Sequence, residues 1–140
     1  KSCEGLLPAS RFAVDAYVNF VGSRSLLEAI ASSLTEIYAP AIHAERISGL
    51  SKHYEWADDY ALAYFKKRIG QARKDVEFGK EWVIENAITR DDQEAVLGAI
   101  RFKTEVLWAQ LDALYYAYVD PGYIPPGAFI PKGFNEKAWK

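Results

Sequence analysis

Apolar residues recur at steps of three and four along nearly the whole chain, and this spacing predicts helices rather than strands. Four helical segments are expected, at about 11–22, 25–50, 56–87 and 91–119. Pro40 falls within the second segment, where it lacks a backbone donor and clashes with the preceding turn. We therefore expect a kink or helix break within a residue or two of Pro40.

The last two helical segments differ in how much of their circumference is apolar. The third segment carries one narrow stripe, formed by Leu62, Phe65, Ile69, Ala72, Val76, Gly79 and Val83. The fourth segment carries a broader apolar arc of two adjoining stripes. One is formed by Leu97, Ile100, Leu107, Leu111, Leu114 and Tyr118, and the other by Ala95, Ala99, Phe102, Val106, Ala109 and Ala113. A helix that is apolar around much of its circumference is expected to be central, with neighbours on several sides. The pattern predicts an all-α helical bundle around a shared core.

Helix caps and the end of the chain complete the predicted organisation. Ser23 or Ser25 is a candidate cap for the second segment, and Thr89 is one for the fourth. After Asp120 the sequence PGYIPPGAFIPKGF contains four prolines and three glycines. Such a composition predicts an irregular tail over 120–140. With 140 residues in total, the chain is expected to form a single domain over 1–140.

Composition excludes several classes of function. The formal net charge is −2, whereas a general nucleic-acid binder usually carries a basic excess. No apolar run approaches the roughly 20 residues that span a bilayer, so no association with a membrane is expected. The chain has one cysteine, Cys3, which cannot form an internal disulfide. A reducing compartment, most simply the cytoplasm, is the expected location.

Two polar residues after Pro40 interrupt an apolar arc. At about 100° per residue, His43 and Arg46 project within the arc of Ile42, Ile47 and Leu50. An arginine on an apolar face needs an anion, since burial of an unpaired charge is costly. Three interpretations remain open for Arg46: a pair with an internal carboxylate, a side chain that reaches out to water, or a site for a ligand carboxylate.

Other cations lie beside the apolar stripes. Lys103 borders the stripe of the fourth segment, and Tyr64 and Arg68, one turn apart, flank that of the third. Arg46, Arg68 and Lys103 could therefore point into one pocket that suits a small polyanion. His43 and Tyr64 would be available there for proton transfer. The simpler interpretation, that these charges are solvated residues at the edge of each stripe, also stays open.

Several other chemistries lack the residues that they need. The two histidines, His43 and His53, belong to no HExxH motif, and no glutamate lies three residues before either of them. We therefore expect no metal site. Cys3 lies in the leader sequence and is a poor candidate for a nucleophile. No glycine-rich phosphate-loop motif occurs.

The order of residues around Pro40 resembles a known family. The run SSLTEIYAPAIHAERI, at 32–47, resembles the central motif of the pyrroloquinoline-quinone synthase family, SSLTE-x-[FY]-AP-x-x-H-x-x-R. HYEW, at 53–56, resembles the usual HYPW, with Glu55 in place of proline. Three further runs match in register: RFAVDAYVNF at 11–20, YFKKRIGQARKDVEFG at 64–79 and FKTEVLWAQLDALYYAYV at 102–119.

This resemblance implies a fold and an activity. The family has the all-helical, haem-oxygenase-like bundle that it shares with the TenA proteins. Its members act as homodimers and use no metal or organic cofactor. They close a ring in the precursor AHQQ and oxidise it with O₂, which yields pyrroloquinoline quinone (PQQ) and hydrogen peroxide. The substrate carries several carboxylates, in agreement with a pocket that contains three cations.

The resemblance also assigns roles to residues of this chain. His43, Tyr64 and Arg68 match the cluster near the oxygen-reactive part of the substrate ring. Arg46 and Lys103 match residues that bind substrate carboxylates and carbonyls.

Three further residues match positions that border the family's pocket, namely Tyr17, Thr35 and Glu36. For Glu36 the helical phase disagrees with the resemblance, because it places this residue opposite the stripe that contains Leu27 and Ile30. An exposed helix charge is the alternative expectation for Glu36.

The family's chain extends well before Arg11, through helices that supply further histidines and arginines. This sequence contains no Met, and we expect it to be the C-terminal part of a longer chain, with a pocket open on one side. Two other functions stay open. One is a non-catalytic fragment that binds a ligand or a partner. The other is a TenA-type hydrolase, which the lack of a core cysteine disfavours.

Overall fold

A computed structural model of the chain describes residues 6–121, 124 and 132–133. Its elements are five α-helices and one 3-10 helix: α1 (Pro8–Ser23), α2 (Leu26–Ser33), the 3-10 helix (Leu34–Tyr38), α3 (Ala39–His53), α4 (Asp59–Asn86) and α5 (Arg90–Tyr118). No strand occurs within these described residues, which confirms the all-α prediction. Most of the predicted irregular tail at 120–140, and Cys3, lie outside the described residues.

The helix starts follow local capping rules. Ser25 and Glu28 form a capping box before α2: the serine hydroxyl accepts from the Glu28 amide at 3.2 Å, and the Glu28 carboxylate accepts from the Ser25 amide at 3.0 Å. The Ser25 hydroxyl also donates to the Glu28 carboxylate at 2.8 Å, and this bond, with that from the Ser25 amide, holds the pKa of Glu28 below its usual range. Thr89 and Asp92 make the same reciprocal bonds before α5. Asp58 caps α4, which therefore begins later than the sequence pattern predicts.

The predicted helix at 25–50 is interrupted before Pro40. At the end of α2, the hydroxyls of Ser32 and Ser33 donate to carbonyls three residues earlier, each at 2.7 Å. Such bonds compete with the regular helical ladder. The tighter 3-10 helix follows, and α3 begins at Ala39, which leaves Pro40 in the first turn where its missing N–H costs nothing. The predicted break is confirmed.

The chain divides into two compact units. The larger unit comprises Phe20–Thr104, and the smaller comprises Lys1–Asn19 together with Glu105–Lys140. In the larger unit, α4 packs against α2, the 3-10 helix and α3. A buried core of four residues unites this unit: Ala31, Val83, Val96 and Ala99. The single domain expected over 1–140 stays a prediction.

The smaller unit contains its own apolar contact. Residues of α1 and of the last half of α5 line a cavity of about 280 Å³ there: Ala9, Phe12, Ala13, Ala16, Val106 and Ala109. None of the helices in the described part of the chain combines the length and the hydropathy of a membrane span.

The apolar faces predicted for α4 and α5 differ in how far the structure confirms that they are buried. On α4 the stripe is confirmed: Leu62, Ala72, Gly79 and Val83 are buried. On α5, by contrast, Val96 and Ala99 are buried, whereas Leu97, Leu111 and Tyr118 of the predicted arc are exposed. The expectation that neighbours cover this face is wrong for those three residues, whereas Ile100, Leu107 and Leu114 are half-buried. Periodicity defines the apolar face of a helix but not which neighbours cover it.

Candidate functional site

Helix α4 carries two neighbouring groups of candidate side chains. We call Glu36, Arg68, Asp75 and Lys103 the ion-pair cluster, and His43, Arg46, Tyr64 and Phe65 the ring cluster. Tyr64 and Arg68 lie one turn apart on α4, where side chains at such spacing are neighbours. The other members come from the 3-10 helix, α3 and α5, and all lie in the larger unit.

Arg68 is the centre of the ion-pair cluster. Its Nη1 donates to Oδ2 of Asp75 at 3.0 Å, and its Nη2 donates to Oε2 of Glu36 at 3.4 Å. The side chain of Arg68 is 22% exposed and that of Glu36 is 44% exposed. The hydrogen bond that Arg68 donates to Asp75, with the charge of Glu36, raises the pKa of Arg68 although partial burial opposes this. The guanidinium is thus a fixed cation with a carboxylate on each side.

Lys103 of α5 belongs to the same cluster. Its side chain is half-buried, and burial lowers the pKa of its ammonium group, while the charge of Glu36 acts in the opposite direction. The carboxylate of Glu36 therefore interacts with both Arg68 and Lys103. Glu36 is partly exposed, as the alternative expectation had it, but it is paired with Arg68 rather than solvated alone. Its phase differs because a 3-10 helix turns about 120° per residue rather than the 100° of an α-helix.

His43 is the buried member of the ring cluster, and 9% of its surface is exposed. Its ring lies 5.7 Å from that of Phe65 and 6.2 Å from that of Tyr64, nearly perpendicular to the latter. Its Nδ1 is buried and has no hydrogen-bond partner among the described residues. Buried polar atoms usually have a partner, so this nitrogen is an exception among the described residues. The prediction that His43 faces the core is confirmed.

Arg46 lies on the outer side of the ring cluster. Its side chain is exposed, and its guanidinium carbon sits 5.3 Å from the centroid of the Phe65 ring. The expectation that Arg46 projects into the core is wrong, and Ile42 of the same predicted arc is also exposed. Among the described elements, α3 packs against α4 and the 3-10 helix. Exposure argues against a buried internal ion pair for Arg46, and its assignment to a ligand carboxylate stays a prediction.

The remaining candidates are placed less directly. Thr35 is half-buried, and its hydroxyl donates to the carbonyl of Ser32 at 3.4 Å. Tyr17 lies half-buried on α1, in the smaller unit. For both residues the role at the pocket stays a prediction. Within the described ranges, no group of three or more His, Cys, Asp or Glu side chains is arranged to hold a metal ion.

Two members of the clusters were not predicted as site residues. Asp75 continues the line of Tyr64 and Arg68 at a spacing of seven residues from Arg68, and this two-turn spacing was the available signal. Phe65 belongs to the predicted core stripe, and nothing in its periodicity indicates that it separates His43 from Arg46. The sequence does not show which side chains of other helices a stripe residue such as Phe65 contacts. That becomes known only from the structure.

Comparison with known proteins places this arrangement in a family. The model of the TENA/THI-4/PQQC family matches residues 2–113. The chain belongs to this family. The predicted family relationship is thereby confirmed, and the helical structure agrees with its all-α, haem-oxygenase-like fold class.

Several curated relatives share most of this sequence, and each bears the name pyrroloquinoline-quinone synthase. The protein of Rhizobium meliloti (strain 1021) is 62% identical over 128 residues, which cover 91% of this chain and 50% of the relative. The protein of Granulibacter bethesdensis is 58% identical over 132 residues, which cover 94% of this chain and 52% of the relative. The protein of Gluconobacter oxydans (strain 621H) is 56% identical over 131 residues, which cover 94% of this chain and 54% of the relative. The chain thus spans about half the length of these relatives.

Proposed function

We propose that this chain forms part of the active site of a pyrroloquinoline-quinone synthase, an oxidoreductase that uses O₂ to close a ring in AHQQ and oxidise it to PQQ. The observation that carries the proposal is its similarity to relatives of that name, at 62% and 58% identity over more than nine-tenths of the chain. The ion-pair and ring clusters supply residues that suit the substrate and the chemistry.

The proposed ligand is a small molecule with several carboxylates. Arg68 and Lys103 present two half-buried cations, and Arg46 adds a third that is exposed beside the ring cluster. Hydrogen bonds between such cations and a carboxylate are stronger than neutral ones. We assign these three residues to substrate carboxylates and carbonyls, with Tyr17 and Thr35 as further pocket residues.

The proposed chemistry uses the substrate as the source of electrons and O₂ as the acceptor, with hydrogen peroxide as the second product. No metal or organic cofactor takes part in this proposal. The positive field of Arg68 and Lys103 would favour anionic forms of the substrate and of reduced oxygen. His43 would exchange protons at its buried Nδ1, and the perpendicular ring of Tyr64 would orient it.

The setting of the enzyme belongs to the same proposal. We infer that it acts as a homodimer in the cytoplasm, as the family resemblance implies, with AHQQ and PQQ as its small-molecule partners. The single cysteine in the sequence suits a reducing compartment.

Measurement of O₂ uptake with AHQQ, together with titration of PQQ absorbance, tests the proposed function. Arg68→Ala and Lys103→Ala are each expected to weaken PQQ binding by about 10- to 100-fold, because a charged hydrogen bond contributes roughly 1.5–3 kcal/mol. The matched control is Arg73→Ala, which removes an exposed arginine from the same helix. Wild-type affinity in both cation variants would contradict the assignment.

The histidine is tested separately from the cations. His43→Leu is expected to slow AHQQ-dependent O₂ uptake by about 100-fold or more, the usual contribution of general acid–base catalysis, with a smaller effect on PQQ affinity. His53→Leu, which removes the exposed histidine at the end of α3, is the control. PQQ binding without any O₂ uptake would instead support a non-catalytic fragment that binds the ligand.

A further inference from the structure

The carboxylate of Glu36 occupies a position that a ligand carboxylate would be expected to take. Its Oε2 accepts from Nη2 of Arg68 at 3.4 Å, and its charge acts on Lys103. Both are cations that the proposed function assigns to substrate carboxylates. The protein therefore already supplies a carboxylate bonded to Arg68, and the charge of this carboxylate also acts on Lys103.

The two acidic neighbours of Arg68 are not equivalent. Asp75 lies on the same helix as Arg68, two turns away, and binds Nη1 at 3.0 Å. Glu36 lies on a different element, makes the longer bond and is the acidic group whose charge also acts on Lys103. Asp75 thus orients the guanidinium, whereas Glu36 neutralises the pair of cations.

Glu36 is also placed where its side chain can leave. It is 44% exposed, and an ion pair of that exposure contributes only about 0.2–1 kcal/mol. It lies on the five-residue 3-10 helix between α2 and α3, a type of segment with poorer hydrogen-bond geometry that often marks a hinge. Displacement of Glu36 would therefore cost little, provided that another carboxylate replaces it.

We infer that Glu36 is a placeholder: it compensates Arg68 and Lys103 in the unliganded protein, and a carboxylate of the ligand displaces it from both cations. This inference rests on the proposed function for the identity of the ligand. In this role Glu36 competes with the ligand carboxylate for the cations and does not itself bind the ligand. A protein of this kind keeps two half-buried cations compensated without a ligand, and it selects ligands that bring a replacement anion.

The first test is a titration with PQQ and with trimesate, a planar tricarboxylate that lacks the quinone. Glu36→Gln is expected to bind both ligands about three- to fivefold more tightly than the wild type, since the competing ion pair is worth up to about 1 kcal/mol. Asp75→Asn is the matched control at the other edge of Arg68 and is expected to bind no more tightly than the wild type. Glu81→Gln makes the same charge change at an exposed position of α4.

The outcomes separate this inference from the proposed function. If trimesate binds more tightly to Glu36→Gln while PQQ does not bind at all, the proposed function fails and the placeholder stands. If neither ligand gains affinity, or if Asp75→Asn or Glu81→Gln gains as much, the placeholder is overturned.

A second test needs no ligand. Because Glu36 opposes the lowering of the Lys103 pKa, Glu36→Gln is expected to leave more of the Lys103 amine uncharged near neutral pH. Trace acetylation followed by peptide mass spectrometry should then show faster labelling of Lys103 relative to the exposed Lys80. Equal relative labelling in variant and wild type would contradict the electrostatic effect of Glu36 on Lys103.

Discussion

The ring cluster and the ion-pair cluster share one turn of α4, yet the arginine of each cluster has a different kind of partner. In the ion-pair cluster, Arg68 lies between two carboxylates, at 3.0 Å and 3.4 Å. In the ring cluster, Arg46 has no ion pair with any residue that the structure describes, and its guanidinium lies over the ring of Phe65. Both residues border apolar stripes in the sequence. The neighbours that surround each cation, not its position on the helix, decide how the charge is compensated.

The two clusters should also contribute differently to stability and binding. The ring cluster removes apolar surface from water around the buried His43, and such burial stabilises a fold. The ion-pair cluster consists of partly exposed charges, whose pairs contribute little to the free energy of unfolding. We therefore expect changes in the ring cluster to affect stability most, and changes in the ion-pair cluster to affect ligand binding most.

The largest effect on stability is expected for Phe65→Ala. The half-buried ring of Phe65 contacts His43, Tyr64 and Arg46 at once. Its removal should lower the free energy of unfolding by about 2–3 kcal/mol, somewhat less than for a fully buried phenylalanine. Urea unfolding followed by circular dichroism measures this change.

The matched control for Phe65 is Phe78→Ala, on the exposed face of the same helix. This substitution should change the free energy of unfolding by no more than about 0.5 kcal/mol. Equal losses in the two variants would remove the distinction between the ring cluster and the rest of α4.

A smaller effect, dependent on pH, is expected from Lys103. Since burial lowers the pKa of Lys103 in the folded chain, the unfolded chain binds more protons at pH values between that lowered pKa and the ordinary value of about 10.4. The free energy of unfolding should therefore rise with pH in that window, and the penalty should be fully present below it. The difference between wild type and Lys103→Met, measured by urea unfolding across alkaline pH, isolates this contribution. A difference that does not vary with pH would mean that Lys103 is fully solvated.

The smallest effect is expected for Arg46→Met. The variant keeps the apolar stem but loses the cation over Phe65, an interaction worth about 0.5–1 kcal/mol at an exposed site. Arg46→Lys should retain part of this stability. A loss of several kcal/mol in urea unfolding would show that Arg46 belongs to a buried ion pair, and the contrast with Arg68 would then disappear.

Local features of the structure could be predicted from the sequence because their causes lie within a few residues. Ser25 and Thr89 cap helices through bonds to residues three positions later. Pro40 enforces a break because its ring and missing N–H act on its own turn. The α4 stripe was predictable for a related reason: its spacing defines one face, and that face is buried against α2 and α3.

Where a prediction required knowledge of distant neighbours, the sequence was insufficient. The role of Glu36 depends on a 3-10 segment whose tighter turn alters its direction, and on cations that are 32 and 67 positions away. The broad apolar arc of α5 identified an apolar face but not the residues that pack against it. Leu111 on that arc is 63% exposed. Arg46 lies on an apolar arc, which left three environments open for it, and only the structure shows that its side chain is exposed.

Capping, the break at Pro40, the α4 stripe and the family relationship follow from residue order, because they depend on short-range bonds, periodicity and motif. The pairing of Glu36 with Arg68, and the action of its charge on Lys103, follow from how separate helices pack. Electrostatic compensation acts through space and depends on distance and burial. Residues far apart in sequence acquire those properties only when the chain brings them together.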